Sequence, residues 1–126
     1  MRFLVACKPD ARARSGLQAI IDCIQKSGKS TFTDINTIDD EHRSFDYAIS
    51  VGGDGTILRL NRALGMRIPP PVIPFSAGTL GFLLPFKLGD HERVLKGVFE
   101  GRLPLLKRMR LKCQLDNVVL PQTALN

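Results

Sequence analysis

Tryptophan is absent from the sequence and tyrosine occurs once, so the chain lacks the aromatic residues with which nucleic-acid-binding modules stack on bases. The three cysteines, Cys7, Cys23 and Cys113, form no Cys-x-x-Cys pair and no cysteine/histidine metal spacing, which predicts reduced, buried thiols. No apolar run approaches the ~20 residues of a membrane helix, and the amino terminus lacks the pattern of a signal peptide. We therefore expect no nucleic acid and no membrane as partner, and a cytoplasmic location.

The composition is that of an ordinary globular domain, with 44% hydrophobic and 24% charged residues in a chain of 126. This length is slightly below the roughly 150 residues of an average domain. The net charge of +6 lies in the second half, since residues 59–126 carry eleven Lys or Arg against four Asp or Glu. A basic surface attracts anions such as a polyphosphate ligand, although a solvated basic face explains the charge equally well.

Short apolar runs alternate with segments of helical periodicity over residues 1–103. This alternation predicts an α/β domain with a mostly parallel sheet and flanking helices. The first helix is expected to begin at a capping box formed by Ser15 and Gln18 and to end at Gly28. Strands are predicted at residues 2–7, 31–35, 47–51 and 72–75, and two further helices from after Gly55 to Gly65 and from Asp90 to Gly101.

The pattern changes after Pro104. Apolar and basic or polar residues alternate from Arg108 to Leu115, which is typical of a strand with one apolar and one basic face. We expect residues 104–126 to form the first strand of an incomplete, all-β second domain. Its basic face is interpreted as a solvated surface or a subunit contact.

The most informative motif is Gly52-Gly53-Asp54-Gly55-Thr56, which directly follows a predicted strand and precedes a helix. Glycines let a ligand approach the backbone closely, and the N–H groups of such a loop bind phosphate oxygens. The following helix would add the positive end of its dipole, and Thr56 a hydroxyl donor. A carboxylate repels a bound phosphate, so its presence in a phosphate-binding loop indicates a specific role. Asp54 could accept a proton from a hydroxyl nucleophile or hold Mg²⁺.

A tight turn with Asp54 as a turn or cap residue is the structural alternative for this motif. The chain contains neither a Walker Gly-x-x-x-x-Gly-Lys-Ser/Thr sequence nor a Gly-x-Gly-x-x-Gly sequence after its first strand. The common P-loop and dinucleotide-binding motifs are therefore excluded.

A second glycine-bearing motif, FSAGTLGFLLPF at residues 75–86, follows the first. With GGDGT at residues 52–56 and an opening strand that ends in Lys8-Pro9, it resembles the NAD kinases, most of all their mitochondrial-type eukaryotic members. The resemblance implies the NAD kinase or phosphofructokinase-like fold for the α/β domain. It also implies phosphoryl transfer from ATP to the adenosine 2′-hydroxyl of NAD, and it makes the mitochondrial matrix the alternative location.

The resemblance assigns roles to individual residues. Asp54 corresponds to the proton acceptor and, with Gly55, Arg59 and Phe82, to the NAD-binding residues of the family. Phe82 would lie against the adenine, and the alternative for this residue is packing in the core. The alternative for Arg59 is a solvated side chain. Mg²⁺ would enter with ATP, without a direct protein ligand. The phosphate loop consists of Gly52, Gly53, Gly55 and Thr56, and Gly81 is expected to meet only a backbone requirement.

The last residue, Asn126, resembles the first member of an Asn-Glu or Asn-Asp pair that grips NAD in this family. Its acidic partner is missing, so we expect a fragment of a larger, homo-oligomeric enzyme. Two alternatives stay open: a lipid kinase of the diacylglycerol type, which has a similar GGDGT motif, and a non-catalytic nucleotide-binding fragment.

Overall fold

The computed structural model describes residues 1–33, 35, 38, 44–65, 67–79 and 81–125. Three α-helices lie in this part of the chain: α1 (Ala11–Lys26), α2 (Asp54–Leu64) and α3 (His91–Phe99), the last preceded by a 3-10 turn at Leu88–Asp90. The strands are β1 (Arg2–Cys7), β2 (Ser30–Phe32), β3 (Tyr47–Gly52), β4 (Val72–Ser76), β5 (Phe86–Lys87), β6 (Arg110–Leu115) and β7 (Val118–Leu125). None of these helices has the length and apolar character that crossing a bilayer requires.

The first five strands form one sheet in the order β2-β1-β3-β4-β5, with every neighbouring pair parallel. The predicted α/β fold with a parallel sheet is thereby confirmed. Strand β2 lies on one side of β1, and β3 lies on the other side, so the direction in which strands are added to the sheet reverses at β1. At such a reversal the connections leave a crevice outside the carboxyl ends of the two central strands, where α/β proteins bind ligands.

Helices cover both faces of this sheet. On one face α1 and α3 bury their apolar side chains against alternate residues of the strands, including Phe3, Ile49 and Phe75. On the other face, α2 packs Leu60 and Leu64 against the strand side chains that point toward that face of the sheet. The strands are buried on both sides, which is why they appear in the sequence as continuous apolar runs.

The start of α1 differs from the prediction. The helix begins at Ala11, and its N-cap is Asp10, whose carboxylate accepts a hydrogen bond of 2.8 Å from the backbone N–H of Ala13. Ser15 therefore lies inside the helix, and the side chain of Gln18 donates to Asp22 one turn later, not back to the helix start. The predicted end is confirmed, since Gly28 has the positive φ of +75° that terminates helices.

The described part of the second segment, residues 104–125, contains two strands where the sequence predicted one. Strands β6 and β7 pair in an antiparallel hairpin through a turn at Asp116 and Asn117, both of which have positive φ. Such a two-residue turn matches the twist of the strands it joins. Pro121 weakened the sequence signal of β7, but a two-stranded sheet has only edges, where proline is tolerated.

Candidate functional site

A cleft of about 330 Å³ lies at the carboxyl ends of β1 and β3, where the strand order reverses. The GGDGT loop forms one wall and the end of β1 the other. The residues that line the cleft are Lys8, Pro9, Gly53, Gly55, Thr56 and Arg59. Three of the four predicted phosphate-loop residues thus border one cavity, together with two cationic side chains.

Glycine is present at the different positions of the loop for different structural reasons. Gly52 is enclosed, because a β-carbon there would collide with the hydroxyl of Thr56 and lie 2.9 Å from the β-carbon of Lys8. Gly53 and Gly55 are open, with nothing within 4 Å of the position that a β-carbon would take. Gly52 therefore permits the close packing of loop and strand, whereas Gly53 and Gly55 leave space for a ligand next to the backbone.

Helix α2 starts within the motif, not after it. Its N-cap is Gly53, and Asp54 is its first residue, so the expectation of a helix beginning after Gly55 was wrong. Gly53 has no side chain with which to cap the helix, and its carbonyl accepts a hydrogen bond of 3.1 Å from the N–H of Thr56. The start of α2 still presents the positive end of its dipole to an anion in the cleft.

The carboxylate of Asp54 reaches the second motif. One oxygen accepts a hydrogen bond of 3.1 Å from the backbone N–H of Phe82, and the other accepts one of 3.0 Å from that of Leu83. Gly81, just before them, would place a β-carbon 2.6 Å from both carboxylate oxygens. The structure thus joins the two motifs through one side chain, and Gly81 is needed because the Asp54 carboxylate lies against it.

The start of the second loop is held by the sheet. Ser76 is buried, and its hydroxyl oxygen lies 3.0 Å from the carbonyl oxygens of Gly78 and Thr79. The N–H of Ala77 donates a hydrogen bond of 3.0 Å to the carbonyl of Gly52, which links this loop directly to the first. The two loops therefore follow adjacent parallel strands and share hydrogen bonds at the same edge of the sheet.

Phe82 projects into solvent, with 96% of its surface exposed. The alternative of core packing for this residue is therefore wrong. An exposed phenyl ring is available for stacking on a planar ligand. Asn126, the remaining predicted site residue, lies outside the described residues.

Arg59 is on the second turn of α2, and its guanidinium donates a hydrogen bond to the carbonyl of Cys7 at the end of β1. The side chain thus turns toward the cleft. Arg59 also borders a second pocket of about 200 Å³, which Cys7, Thr33 and Ile35 line as well. The sequence left two interpretations of Arg59, a side chain oriented toward the loop and a purely solvated one. The structure agrees with the first and not with the second.

Lys8 lines the cleft but was not predicted as a site residue. Its amino group lies 3.5 Å from the carboxylate of Asp10, and the Lys8 side chain is 59% exposed. The hydrogen bond from Ala13 is the main cause that lowers the pKa of Asp10. The position of Lys8, directly after a buried strand, was the signal that could have identified it, because ligands bind at the carboxyl ends of such strands.

No cysteine is among the described residues that line the cleft. Burial, with a smaller contribution from the Asp10 carboxylate, raises the pKa of the Cys7 thiol, and burial also raises that of Cys23. Both cysteines therefore stay protonated and weakly nucleophilic at neutral pH. All three cysteines are free, as predicted, but they are only partly buried.

No group of three or more His, Cys, Asp or Glu side chains that could hold a metal ion occurs in the described part of the chain. Asp54 is the acidic residue of the GGDGT loop, and each of its carboxylate oxygens already accepts a backbone hydrogen bond. A divalent cation in this cleft would need oxygen ligands from a bound phosphate as well.

Comparison with known proteins gives a match of residues 7–103 to the family model of the ATP-NAD kinase N-terminal domain. A mitochondrial NADH kinase of Saccharomyces cerevisiae is 44% identical over 70 residues, which are 56% of this chain and 17% of that enzyme. An NAD kinase of Clostridium botulinum is 32% identical over 97 residues, covering 77% of this chain and 34% of the bacterial enzyme.

Two solved structures share the fold. A yeast NADH kinase in complex with NADH superposes with a TM-score of 0.77 at 24% identity, over 98% of this chain and 46% of the other. An NAD kinase from Archaeoglobus fulgidus in complex with ATP superposes with a TM-score of 0.65 at 26% identity, over 94% of this chain and 45% of the other. This chain thus spans less than half the length of either enzyme.

Proposed function

Because this chain belongs to the ATP-NAD kinase family, we propose that the protein containing it transfers the γ-phosphoryl group of ATP to the adenosine 2′-hydroxyl of NAD. The products are NADP and ADP. The observation that carries this proposal is the Asp54 carboxylate: Asp54 stands between two glycines that line the cleft, and its carboxylate is held by the backbone N–H groups of Phe82 and Leu83. A carboxylate held in a glycine loop that lines a cleft suits phosphorylation of a hydroxyl group.

Asp54 acts as the proton acceptor in this mechanism. The 2′-hydroxyl gives its proton to a carboxylate oxygen, and its oxygen forms a bond to the γ-phosphorus. The bond from that phosphorus to the β–γ bridging oxygen breaks and releases ADP. Each carboxylate oxygen accepts one backbone hydrogen bond and so has a lone pair left for the hydroxyl. Those two bonds keep the base oriented before the substrate arrives.

The phosphates of ATP bind along Gly52, Gly53, Gly55 and Thr56, with Lys8 as an additional cation. The open α-carbons of Gly53 and Gly55 and the exposed amino group of Lys8 support this assignment. Mg²⁺, bound mainly by the phosphate oxygens, would neutralise charge on the transferred group. NAD contacts Gly55 and Arg59 with its ribose and phosphate part, stacks its adenine on Phe82, and reaches Asn126.

The division into an α/β domain of residues 1–103 and the beginning of an all-β domain at residues 104–126 is part of the same proposal. It is supported by the separate pairing of β6 with β7, outside the five-stranded sheet.

We assign the protein to mitochondria in preference to the cytoplasm, because two of its relatives, from Saccharomyces cerevisiae and Schizosaccharomyces pombe, are mitochondrial NADH kinases. The active protein is a homo-oligomer.

A direct comparison of acceptors tests the reaction. The protein is incubated with radiolabelled γ-phosphate ATP, Mg²⁺ and either NAD, NADH or diacylglycerol, and labelled products are separated. The proposal predicts labelled NADP or NADPH and no labelled phosphatidic acid. Labelled phosphatidic acid would identify a lipid kinase, and the absence of any labelled acceptor would identify a non-catalytic nucleotide-binding protein.

A further inference from the structure

Arg110, the first residue of β6, makes hydrogen bonds to three different elements. One terminal nitrogen of its guanidinium donates to the carbonyl of Gly65 at 2.9 Å, to the hydroxyl of Thr123 at 3.2 Å and to the side-chain oxygen of Asn61 at 3.3 Å. The other terminal nitrogen donates to the carbonyl of Arg67. These acceptors belong to α2, to the turn that follows it and to β7.

Asn61 completes the connection from the side of the helix. It is buried on α2, and its amide nitrogen donates a hydrogen bond of 2.8 Å to the backbone carbonyl of Thr123. Gly65 lies so close to β7 that a β-carbon on it would be 3.2 Å from the carbonyl oxygen of Pro121. Specific polar contacts therefore attach the hairpin to α2.

Arginine suits this position for two reasons. The carbonyls of Gly65 and Arg67 lie at the carboxyl end of α2, where the helix dipole favours a positive charge. The planar guanidinium also offers five donors in a fixed arrangement, whereas lysine offers three on a flexible chain. The alternating pattern of β6 predicted an exposed basic face, but Arg110 is half-buried against α2.

We propose that Arg110 is a positioning residue that fixes the β6–β7 hairpin relative to the Asp54 carboxylate. Asp54 and Asn61 lie on the same helix, seven residues and so about 10 Å apart along its axis. Resting on the proposed function, the inference is that this anchor holds the β6–β7 hairpin in the position that NAD binding requires. ATP, which binds at the GGDGT loop, does not depend on it.

The test compares Arg110→Ala and Arg110→Lys with Arg108→Ala, which removes the same charge from an exposed position two residues away. Hydrogen exchange of the β6 and β7 amides should be at least about tenfold faster in Arg110→Ala, since several hydrogen bonds to a charged group are lost. Amides of β1, β3 and β4 should keep their protection. Arg108→Ala should match the wild type, and Arg110→Lys should be intermediate.

Kinetics separate positioning from general destabilisation. For Arg110→Ala we expect the KM for NAD to rise about tenfold while kcat and the KM for ATP change less than about twofold, with part of the loss restored in Arg110→Lys. Thr123→Val removes one acceptor of Arg110 without changing side-chain size. It should change hairpin hydrogen exchange and the KM for NAD in the same direction as Arg110→Ala, but by less. This variant replaces Arg110→Ala in the test if Arg110→Ala does not fold.

Equal hairpin exchange in Arg110→Ala and Arg108→Ala would overturn the proposal, as would parallel changes in the KM values for NAD and ATP. If the wild-type protein forms no NADP, the proposed function fails. The exchange rates of the hairpin then decide the anchoring role of Arg110 independently.

Discussion

The α-carbon of Gly81 lies against the carboxylate of Asp54, so closely that a β-carbon would be 2.6 Å from both of its oxygens. The next two backbone N–H groups donate to those same oxygens. Two motifs that are separated along the chain therefore form one unit, in which the second loop holds the side chain of the first. The candidate base is thereby tied to the backbone that carries the candidate aromatic contact, Phe82.

Substitution of Gly81 by alanine should uncouple the two motifs. The added methyl group must displace either the loop or the carboxylate, and a displacement of about 1 Å at a reacting group can reduce kcat/KM by about 10²-fold. Gly78→Ala is the matched control, because nothing lies within 4 Å of its β-carbon position. Steady-state kinetics of NADP formation measure both variants. Equal activity in the two would show that the contact between Gly81 and Asp54 has no catalytic importance.

Lys8→Ala should weaken ATP binding selectively. Loss of one charge-assisted contact to a phosphate should raise the KM for ATP by about tenfold, with little effect on the KM for NAD. The effect should shrink at high ionic strength, because the amino group is exposed. Lys96→Ala, on the surface of α3 and outside the cleft, is the control. A change confined to the KM for NAD would assign Lys8 to the other substrate.

Phe82→Ala should impair NAD binding without loss of stability. Stacking of a base on an aromatic side chain contributes enough to raise the KM for NAD by roughly tenfold. The ring is 96% exposed, so its removal leaves no cavity and the thermal unfolding midpoint should not change. Phe82→Tyr keeps the ring and should keep the affinity. An unchanged KM in Phe82→Ala would remove this residue from the binding site.

The N-cap Asp10 should make stability depend on pH in the acid range. Its pKa is lowered mainly by the hydrogen bond from Ala13, so its contribution is present above the unfolded-state pKa of about 3.9 and is lost as the pH falls through the lower folded-state value. Asp10→Asn retains a capping oxygen that does not titrate. Urea unfolding between about pH 6 and pH 2 should show a steeper acid loss in the wild type than in Asp10→Asn. Superimposable acid profiles would contradict this role.

The parallel sheet and the location of the GGDGT loop could be predicted because both depend on local patterns. Apolar runs such as residues 47–51 mark buried strands, and a strand followed by glycines and a helix places the loop at the carboxyl edge of the sheet. The helix ends at Gly28, Gly65 and Gly101 were also predicted correctly, since each glycine has the positive φ that its position requires. These features depend on only a few neighbouring residues.

The features that the sequence did not reveal depend on tertiary contacts or on competing local signals. Ser15 and Asp10 are both good N-caps, and the turn after β1 allowed the helix to start at the earlier one. The contact of Asp54 with residues 81–83 and the packing of the half-buried Arg110 against α2 join distant segments, which no local periodicity encodes. Roles in binding and catalysis for Asp54, Gly55, Arg59, Phe82 and Asn126 stay predictions.

The most direct measurement is the rate of NADP formation from ATP and NAD by the wild-type protein and by Asp54→Asn, followed with a dehydrogenase that is specific for NADP. Asparagine is nearly isosteric with aspartate but cannot accept the proton, so the rate should fall by ~10² to 10⁴-fold. ATP binding, measured by equilibrium titration, should persist in the variant. NADP formation by Asp54→Asn at the wild-type rate would contradict the assignment of Asp54 as the base.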